Sequence, residues 1–184
     1  KIYLLESLAS RYFILLEYGL QSIYDKSLQF INRGHDYSSF LRALEMTKSR
    51  GIEIGAHIIA GVPTETIEET LLMAYEISGL PVSFLKIHQL QIIKQTPLAS
   101  IYAERPFHVF GYDEYLEFLV DFVERLSPDI VLQRLFATAP DDILIAPEWG
   151  RDRHQILRDI EQAFVKRDTC QGKRFMLALQ HSQP

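Results

Sequence analysis

Four β-rich apolar runs alternate with helical patterns along this chain, and that alternation limits the folds it can adopt. The runs cover residues 12–20, 52–60, 82–93 and 130–132. Three of them are apolar almost throughout, which is typical of strands that are buried on both faces. Strands that alternate with helices belong to parallel β/α units with right-handed crossovers. The sequence therefore predicts an α/β fold with about four parallel strands and outer helices.

The helical patterns between these runs have recognisable ends. Four helices are predicted: one capped by Ser38 or Ser39 and ending at Gly51, and three more over residues 67–78, 114–125 and about 152–165. Thr66 and Glu69 have capping-box spacing, and Asp113 precedes the third helix. The segment 94–111 is a long connection and a candidate functional loop. Because four β/α units are too few to close a barrel, we expect an open half-barrel whose edge is the strand 12–20.

The cysteine count limits the chemistry of the chain. Cys170 is its only cysteine, so it has no internal disulfide, and a reducing, cytoplasmic compartment is expected. A four-cysteine zinc or iron–sulfur site is excluded, and we expect no metal ligands in this chain. No run of eighteen apolar residues is present, so no membrane partner is expected. The chain starts at Lys1 in what reads as the interior of a helix, which predicts an artificial or incomplete start.

The charge of the chain is unevenly distributed. The net charge of −5 argues against nucleic-acid binding over the whole surface. Residues 151–174 nevertheless hold seven Lys or Arg and four Asp or Glu. This basic C-terminal segment either contacts phosphate groups or is a solvated helix face.

Two short motifs, G-L-Q-S at 19–22 and N-R-G-H at 32–35, place Gln21 and Arg33 twelve residues apart. They resemble the fourth-strand segment of two radical S-adenosylmethionine (SAM) groups, the oxygen-independent coproporphyrinogen oxidases and the Elongator catalytic subunit. The resemblance implies that Gln21 and Arg33 contact the amino-acid end of SAM. A guanidinium fork suits the methionyl carboxylate, and an amide both donates and accepts. Without the resemblance, these residues would be interpreted as a strand-end cap and a surface ion pair.

Two further motifs are similar to the next strands of the same family. H-I-I-A-G-V-P-T-E at 57–65 looks like the fifth strand, which implies that His57 contacts the ribose and that the backbone at Ile59 and Gly61 follows the adenosine. A buried, hydrogen-bonded histidine is the alternative for His57, and Thr64 replaces the usual glycine. K-I-H-Q-L-Q-I-I-K-Q-T-P-L at 86–98 resembles the sixth strand of the YhcC/YtqA-like radical SAM proteins. Leu90 would then meet the adenine edge.

The side chains of that sixth strand and of the segment after it are candidates for binding substrate. Strand alternation places Lys86, His88 and Leu90 on one face, which is either a polar barrel interior or a surface row. The stretch 133–149 resembles the same family, with Phe136-Ala137-Thr138 in place of its Thr-Gly-Asp. His88, Arg134 and Trp149 are the candidate substrate residues, for an anionic or planar group. An ion pair from Arg134 to Asp141 or Asp142 is the structural alternative.

The chain is thus identified as the C-terminal half of a radical SAM protein, part of a partial (β/α)6 barrel. Residues 1–150 would form the barrel half, and residues 151–184 a family-specific helix and tail. The resemblance implies two cofactors, SAM and a 4Fe–4S cluster whose three cysteine ligands are expected upstream of Lys1. It implies three partners: SAM, an electron donor, and a tRNA or small anionic substrate.

The implied activity is formation of a 5′-deoxyadenosyl radical, used for tRNA wobble-uridine modification if the Elongator kinship extends to the substrate. The complete parent would be an enzyme, and this chain alone would be inactive. The alternative is a non-catalytic half-barrel that serves as a scaffold or protein-interaction module.

Overall fold

The computed structural model describes residues 1–181, which form two sheets covered by helices. The parallel sheet contains β1 (Leu15–Gln21), β2 (Glu53–Ala60), β3 (Phe84–Gln89) and β5 (Val131–Arg134), in the order β1-β2-β3-β5. The second sheet is an antiparallel pair, β4 (Ile92–Ile93) and β6 (Leu144–Ala146). Four parallel strands in one sheet confirm the predicted α/β half-barrel, with β1 at an edge of the described sheet.

Helices fill the connections between the strands. They are α1 (Ile2–Ala9), α2 (Asp25–Phe30), α3 (Tyr37–Thr47), α4 (Ile67–Ser78), α5 (Pro97–Glu104), α6 (Tyr112–Arg125), α7 (Arg153–Lys166) and α8 (Lys173–His181). None of these helices has both the length and the hydrophobicity needed to cross a membrane. The division of the chain at residue 150 stays a prediction, and residues 182–184 of the predicted tail lie outside the described residues.

Several helix ends differ from those predicted, because a different residue caps each helix. Asp36, and not Ser38 or Ser39, caps α3, since its Oδ1 accepts a hydrogen bond of 2.8 Å from the Ser39 N–H. That helix ends at Thr47, four residues before Gly51. The third predicted helix, α6, begins at Tyr112, one residue before Asp113.

Two predicted segments are also divided differently. The predicted strand 82–93 is interrupted after Gln89, and its last residues pair with β6 instead of extending the parallel sheet. The predicted loop 94–111 contains α5, where Thr96 is the N-cap and Pro97 occupies the first helical position that proline favours. The capping box of α4 is confirmed, since Thr66 and Glu69 each bind the other's backbone N–H, at 3.1 and 2.8 Å.

One face of the parallel sheet, the helix-packed face, forms the main core. Ile54, Ile58, Leu85 and Ile87 project from this face and are almost completely buried. They belong to one cluster with apolar side chains of α4, α6 and α7, including Met73, Ile77, Leu119, Phe122, Ile156 and Ile160. Full burial of one such side chain stabilises a protein by about 1.5–3 kcal/mol. The opposite face, which we name the inner wall, carries the polar residues.

Candidate functional site

A row of polar side chains crosses the inner wall over all four parallel strands. Lys86 Nζ contacts Glu17 Oε1, and His57 Nε2 lies 3.4 Å from the same oxygen. The rings of His57 and His88 have centroids 6.0 Å apart, and Arg134 Nη1 lies 3.4 Å from His88 Nε2. These contacts support the predicted polar interior over the alternative of a surface row.

Charges within this row are balanced at one end only. The hydrogen bond from Lys86, aided by His57, holds the pKa of Glu17 below its ordinary value, so Glu17 and Lys86 form an ion pair at neutral pH. Burial, together with the positive charge of Arg134, lowers the pKa of His88 to about 4, which leaves that imidazole neutral. Within residues 1–181, no carboxylate lies within 4.0 Å of Arg134, so the alternative ion pair with Asp141 or Asp142 is wrong.

The end of β1 brings Gln21 and Arg33 together over a glycine. Arg33 Nη2 donates to the Gly19 carbonyl oxygen at 3.2 Å, and Arg33 Nε donates to His35 Nε2 at 2.9 Å. A Cβ on Gly19 would lie 2.5 Å from Arg33 Nη2 and 2.6 Å from Gln21 Nε2. Both side chains therefore need the space that a missing Cβ leaves. We name Gly19, Gln21 and Arg33 the Gly19 cradle.

Local backbone geometry directs both polar residues into this cradle. Gln21 has a φ of 67°, a left-handed conformation that is uncommon for residues other than glycine and often marks functional sites. Asn32, which tolerates this conformation, has a φ of 53° and follows the end of α2. The Arg33 N–H then bonds to the Leu28 carbonyl oxygen at 2.8 Å, which turns the chain back towards β1.

Side-chain hydrogen bonds tie the loop after β1 to the loop after β2. Ser22 Oγ donates to Glu65 Oε1 at 2.6 Å, and the Ser27 and Thr64 hydroxyls are 2.8 Å apart. The threonine that departs from the family's glycine therefore bonds to α2. Gly61, with a φ of 86°, turns the chain out of β2, and a Cβ there would lie 2.9 Å from the Phe110 ring.

Leu90 approaches the end of β2 through its backbone and not through its side chain. The Leu90 N–H bonds to the Ala60 carbonyl oxygen at 2.8 Å, which holds its backbone beside the end of β2 near Ile59 and Gly61. The Leu90 side chain is buried in a small second core with Ile92, so it does not extend the polar row of Lys86 and His88.

Trp149 and Arg134 are not brought together. The Trp149 ring packs 5.0 Å from the ring of Tyr115, and its Nε1 donates to the Phe110 carbonyl oxygen at 3.0 Å. Trp149 lines a cavity of about 660 Å³ with Gln91, whereas Arg134 lines a different one. The two residues therefore line separate cavities, and their assignment to one substrate stays a prediction.

The residues present suit one of the two implied cofactors. Arg33 Nη1 makes no hydrogen bond within residues 1–181, and buried His57 Nε2 has there only the long contact of 3.4 Å to Glu17 Oε1. A carboxylate and a ribose hydroxyl would satisfy these atoms. An iron–sulfur cluster needs thiolates, but the described residues contain no group of three metal-binding side chains, and Cys170 is exposed. The cluster does not fit this chain alone.

Glu17 is the site residue whose role was missed in the sequence. It lies two residues before Gly19, so strand alternation would have placed it on the same face as Gly19 and Gln21. Its partner could not be read from the sequence, because Lys86 is on β3 and the ion pair reaches across β2.

Comparison with protein families and solved structures identifies the relatives of this chain. The Radical SAM superfamily model matches residues 4–74, and the Radical_SAM C-terminal domain model matches residues 82–166. MJ0486 of Methanocaldococcus jannaschii is 34% identical over 173 residues, which is 94% of this chain and 54% of that protein. YtqA of Bacillus subtilis is 29% identical, over 93% of this chain and 53% of YtqA. The chain thus spans about half the length of these relatives.

The more distant relatives include a tRNA-modifying enzyme. A tRNA uridine(34) acetyltransferase of Methanocaldococcus infernus is 27% identical over 116 residues, which is 61% of this chain and 22% of that enzyme. The solved structure of archaeal Elp3 from the same organism, with residues 1–46 deleted, superposes with a TM-score of 0.76. It covers 90% of this chain and 39% of Elp3 at 19% identity, which establishes a shared fold. Together these matches show that the chain belongs to the radical SAM superfamily, as a partial-length relative of YtqA and Elp3-like proteins.

Proposed function

We propose that this chain is the SAM-binding half of a radical SAM enzyme. Arg33 and Gln21 hold the methionyl end of SAM, and His57 binds the ribose. The backbone at Ile59, Gly61 and Leu90 follows the adenosine. The observation that carries the proposal is the Gly19 cradle, in which two polar side chains twelve residues apart converge on one glycine.

The chemistry of the cradle favours a carboxylate ligand. Arg33 keeps a full charge with no carboxylate within 4.0 Å among residues 1–181, and its Nη1 donors point to no protein acceptor. Its Nε and Nη2 bonds fix the guanidinium plane before a ligand arrives, which reduces the entropy lost on binding. A fixed guanidinium binds a carboxylate through two parallel bonds, and the Gln21 amide supplies one further donor or acceptor.

When bound, the cofactors would supply the one-electron reductive cleavage of SAM and so the radical chemistry; in this chain Arg33, Gln21 and His57 would hold SAM. The cysteine ligands of the cluster would have to come from outside this chain, because Cys170 alone cannot supply three thiolates. An electron donor of the reducing cytoplasm is required. This chain alone is inactive, because Cys170 is its only thiol.

For the substrate we propose a uridine of tRNA. The archaeal relative that is a tRNA uridine(34) acetyltransferase supports this choice, and so does the positive end of the inner wall at Arg134. His88 is neutral and can donate or accept a hydrogen bond beside the substrate. Trp149 is assigned to the separate 660 Å³ cavity. A small anionic substrate is the competing possibility, and assays with bulk tRNA and with the isolated anion distinguish the two.

The experiment uses the full-length protein, reconstituted anaerobically with iron and sulfide and supplied with a reductant. We expect wild type to release 5′-deoxyadenosine. Arg33→Ala should weaken SAM about ten- to a hundredfold, since a charge-assisted hydrogen bond contributes about 1.5–3 kcal/mol. Arg33→Lys should recover only part of the affinity, because a lysine cannot form the fork. Binding is measured by calorimetry.

The matched control is Arg42→Ala, which removes an exposed arginine that contacts Ser38 and Ser39 on α3. SAM affinity of Arg33→Ala equal to that of wild type would remove Arg33 from the site. Absence of both cluster and 5′-deoxyadenosine from the full-length wild type would replace the proposal with the scaffold alternative.

A further inference from the structure

A second positively charged cavity lies at the other end of the sheet, between β5 and the start of α7. Its volume is about 340 Å³. The polar side chains that line it are those of Gln133, Arg134, Thr138 and Arg153, and no acidic residue is among its lining residues. We name these four residues and the space they enclose the β5 cleft. Its volume is at the low end of the range of about 300–1,000 Å³ that is usual for ligand sites.

Both arginines of the β5 cleft keep an uncompensated charge. Neither Arg134 nor Arg153 has a carboxylate within 4.0 Å in the described part of the chain. The two acidic residues that flank this region, on the inner wall and beside Arg153 in the sequence, have other partners. Glu17 pairs with Lys86, and the Asp152 carboxylate accepts from the N–H groups that follow it in α7, at 2.8 and 2.9 Å.

Two arginines further along the basic C-terminal segment differ from the cleft in this respect. Arg167 pairs with Glu117 and Asp121, and Arg174 pairs with Asp121 and Glu124. These arginines hold α7 and α8 against α6. Arg153, at the start of α7, has no acidic partner within residues 1–181 and also lines the cleft, so this is where we place the predicted phosphate contacts of the basic segment.

We propose that the β5 cleft binds a phosphodiester group of single-stranded RNA. Two guanidinium forks are suited to phosphate oxygens, and Gln133 and Thr138 add neutral donors. A cavity of this size has room for more than a lone carboxylate, which favours a phosphate with its attached sugar. Arg134 also contacts His88 on the inner wall, so the nucleotide next to the bound phosphate would face that wall.

This inference rests on the proposed function for the identity of the substrate, but its test requires neither SAM nor a reductant. Binding of a short fluorescein-labelled oligouridylate to the full-length protein is measured by anisotropy over a range of salt concentrations. Arg134→Gln and Arg153→Gln should each weaken binding about tenfold. Each should also reduce the slope of log K against log salt by about 0.7.

The matched control is Arg158→Gln, which removes the same charge from α7 at a residue that does not line the cleft and bonds to Gln155 at 2.8 Å. It should bind RNA within about twofold of wild type, and circular dichroism should show that all three variants are folded. Equal losses in all three variants would overturn the proposal, since only overall charge would then matter.

Two other results would also contradict it. Wild-type affinity in Arg134→Gln and Arg153→Gln would exclude the cleft, and displacement of the RNA by a small dicarboxylate more readily than by inorganic phosphate would make it a carboxylate site. If the cleft does not bind RNA but the protein still releases 5′-deoxyadenosine, only the cleft proposal is contradicted and the SAM proposal is unaffected. RNA binding at the cleft without any SAM cleavage would support the β5 cleft and contradict the SAM proposal.

Discussion

The two faces of the parallel sheet are built by the same strands, yet they are opposite in chemistry. On the helix-packed face, Ile58 and Ile87 have no solvent exposure and belong to a cluster that joins several elements. On the inner wall, the neighbouring His57 and Lys86 are only partly buried and contact mainly other polar groups. Because successive side chains of a strand point to opposite faces, a shift of one residue would exchange the two surfaces.

This difference indicates how stability and function are divided in the chain. The helix-packed face supplies the burial energy, which does not depend on the exact polar residues opposite. The inner wall is then free to carry groups that are poorly satisfied by the protein, such as His57 Nε2. Unsatisfied polar groups destabilise a fold, and they are retained where a ligand completes their hydrogen bonds.

The largest effect is expected from truncation on the helix-packed face. Ile87→Ala should destabilise the protein by about 2–5 kcal/mol, because a fully buried side chain leaves a cavity in the core. His88→Ala, one residue further along the same strand, should change the unfolding free energy by about 1 kcal/mol or less. Urea unfolding of both variants measures the contrast. Equal losses of unfolding free energy at the two positions would show that the inner wall contributes as much to stability as the helix-packed face.

A smaller effect is expected from the ion pair on the inner wall. Glu17→Gln should cost about 1 kcal/mol at pH 7, since both partners are partly exposed. The folded protein lowers the pKa of Glu17, so this stabilisation is present above the ordinary value of 4.5 and is lost as the pH falls through the lower folded value. Urea midpoints of wild type and Glu17→Gln should therefore converge below about pH 4.5. A constant difference at all pH values would mean that packing, and not charge, explains the loss.

The smallest signal is the protonation of His88. Its pKa is lowered to about 4, so the unfolded chain binds a proton near pH 6.5 that the folded protein does not, and this residue reduces stability as the pH falls from 6.5 to 4. NMR titration should give a His88 midpoint near 4, and Arg134→Gln should raise it by removing a nearby positive charge. His154, an exposed histidine at the start of α7, serves as the internal reference. A His88 midpoint that is the same in Arg134→Gln and wild type would show that the charge of Arg134 does not affect the protonation of His88.

Much of the fold could be predicted, because burial on both faces leaves a strong signal in the sequence. The apolar runs predicted the four parallel strands, and the family resemblance of the motifs around Gln21 and Arg33 predicted that both belong to one site; the structure brings both side chains to Gly19. Leu90 was placed on the polar face by simple alternation, but β3 ends at Gln89. Its side chain therefore packs into a core that only β4 and β6 create.

Contacts between distant strands could not be predicted. The pairing of Glu17 with Lys86 depends on strand order, and the free charge of Arg134 depends on the loop conformation that keeps Asp141 and Asp142 away. The caps of α3 and α6 were misplaced by two to three residues, since several adjacent residues could cap each helix. Sequence patterns specify local periodicity, whereas these features depend on tertiary geometry.

The most direct test of the account is SAM binding by two glycine variants of the reconstituted full-length protein. Gly19→Ala places a Cβ against Arg33 and Gln21, whose flexible ends must move, while Gly34→Ala has no atom within 4 Å of the new Cβ. Calorimetry should show at least about tenfold weaker SAM binding in Gly19→Ala, and wild-type binding in Gly34→Ala, with both variants folded. Wild-type SAM affinity in Gly19→Ala would contradict the assignment of the Gly19 cradle to the methionyl end of SAM.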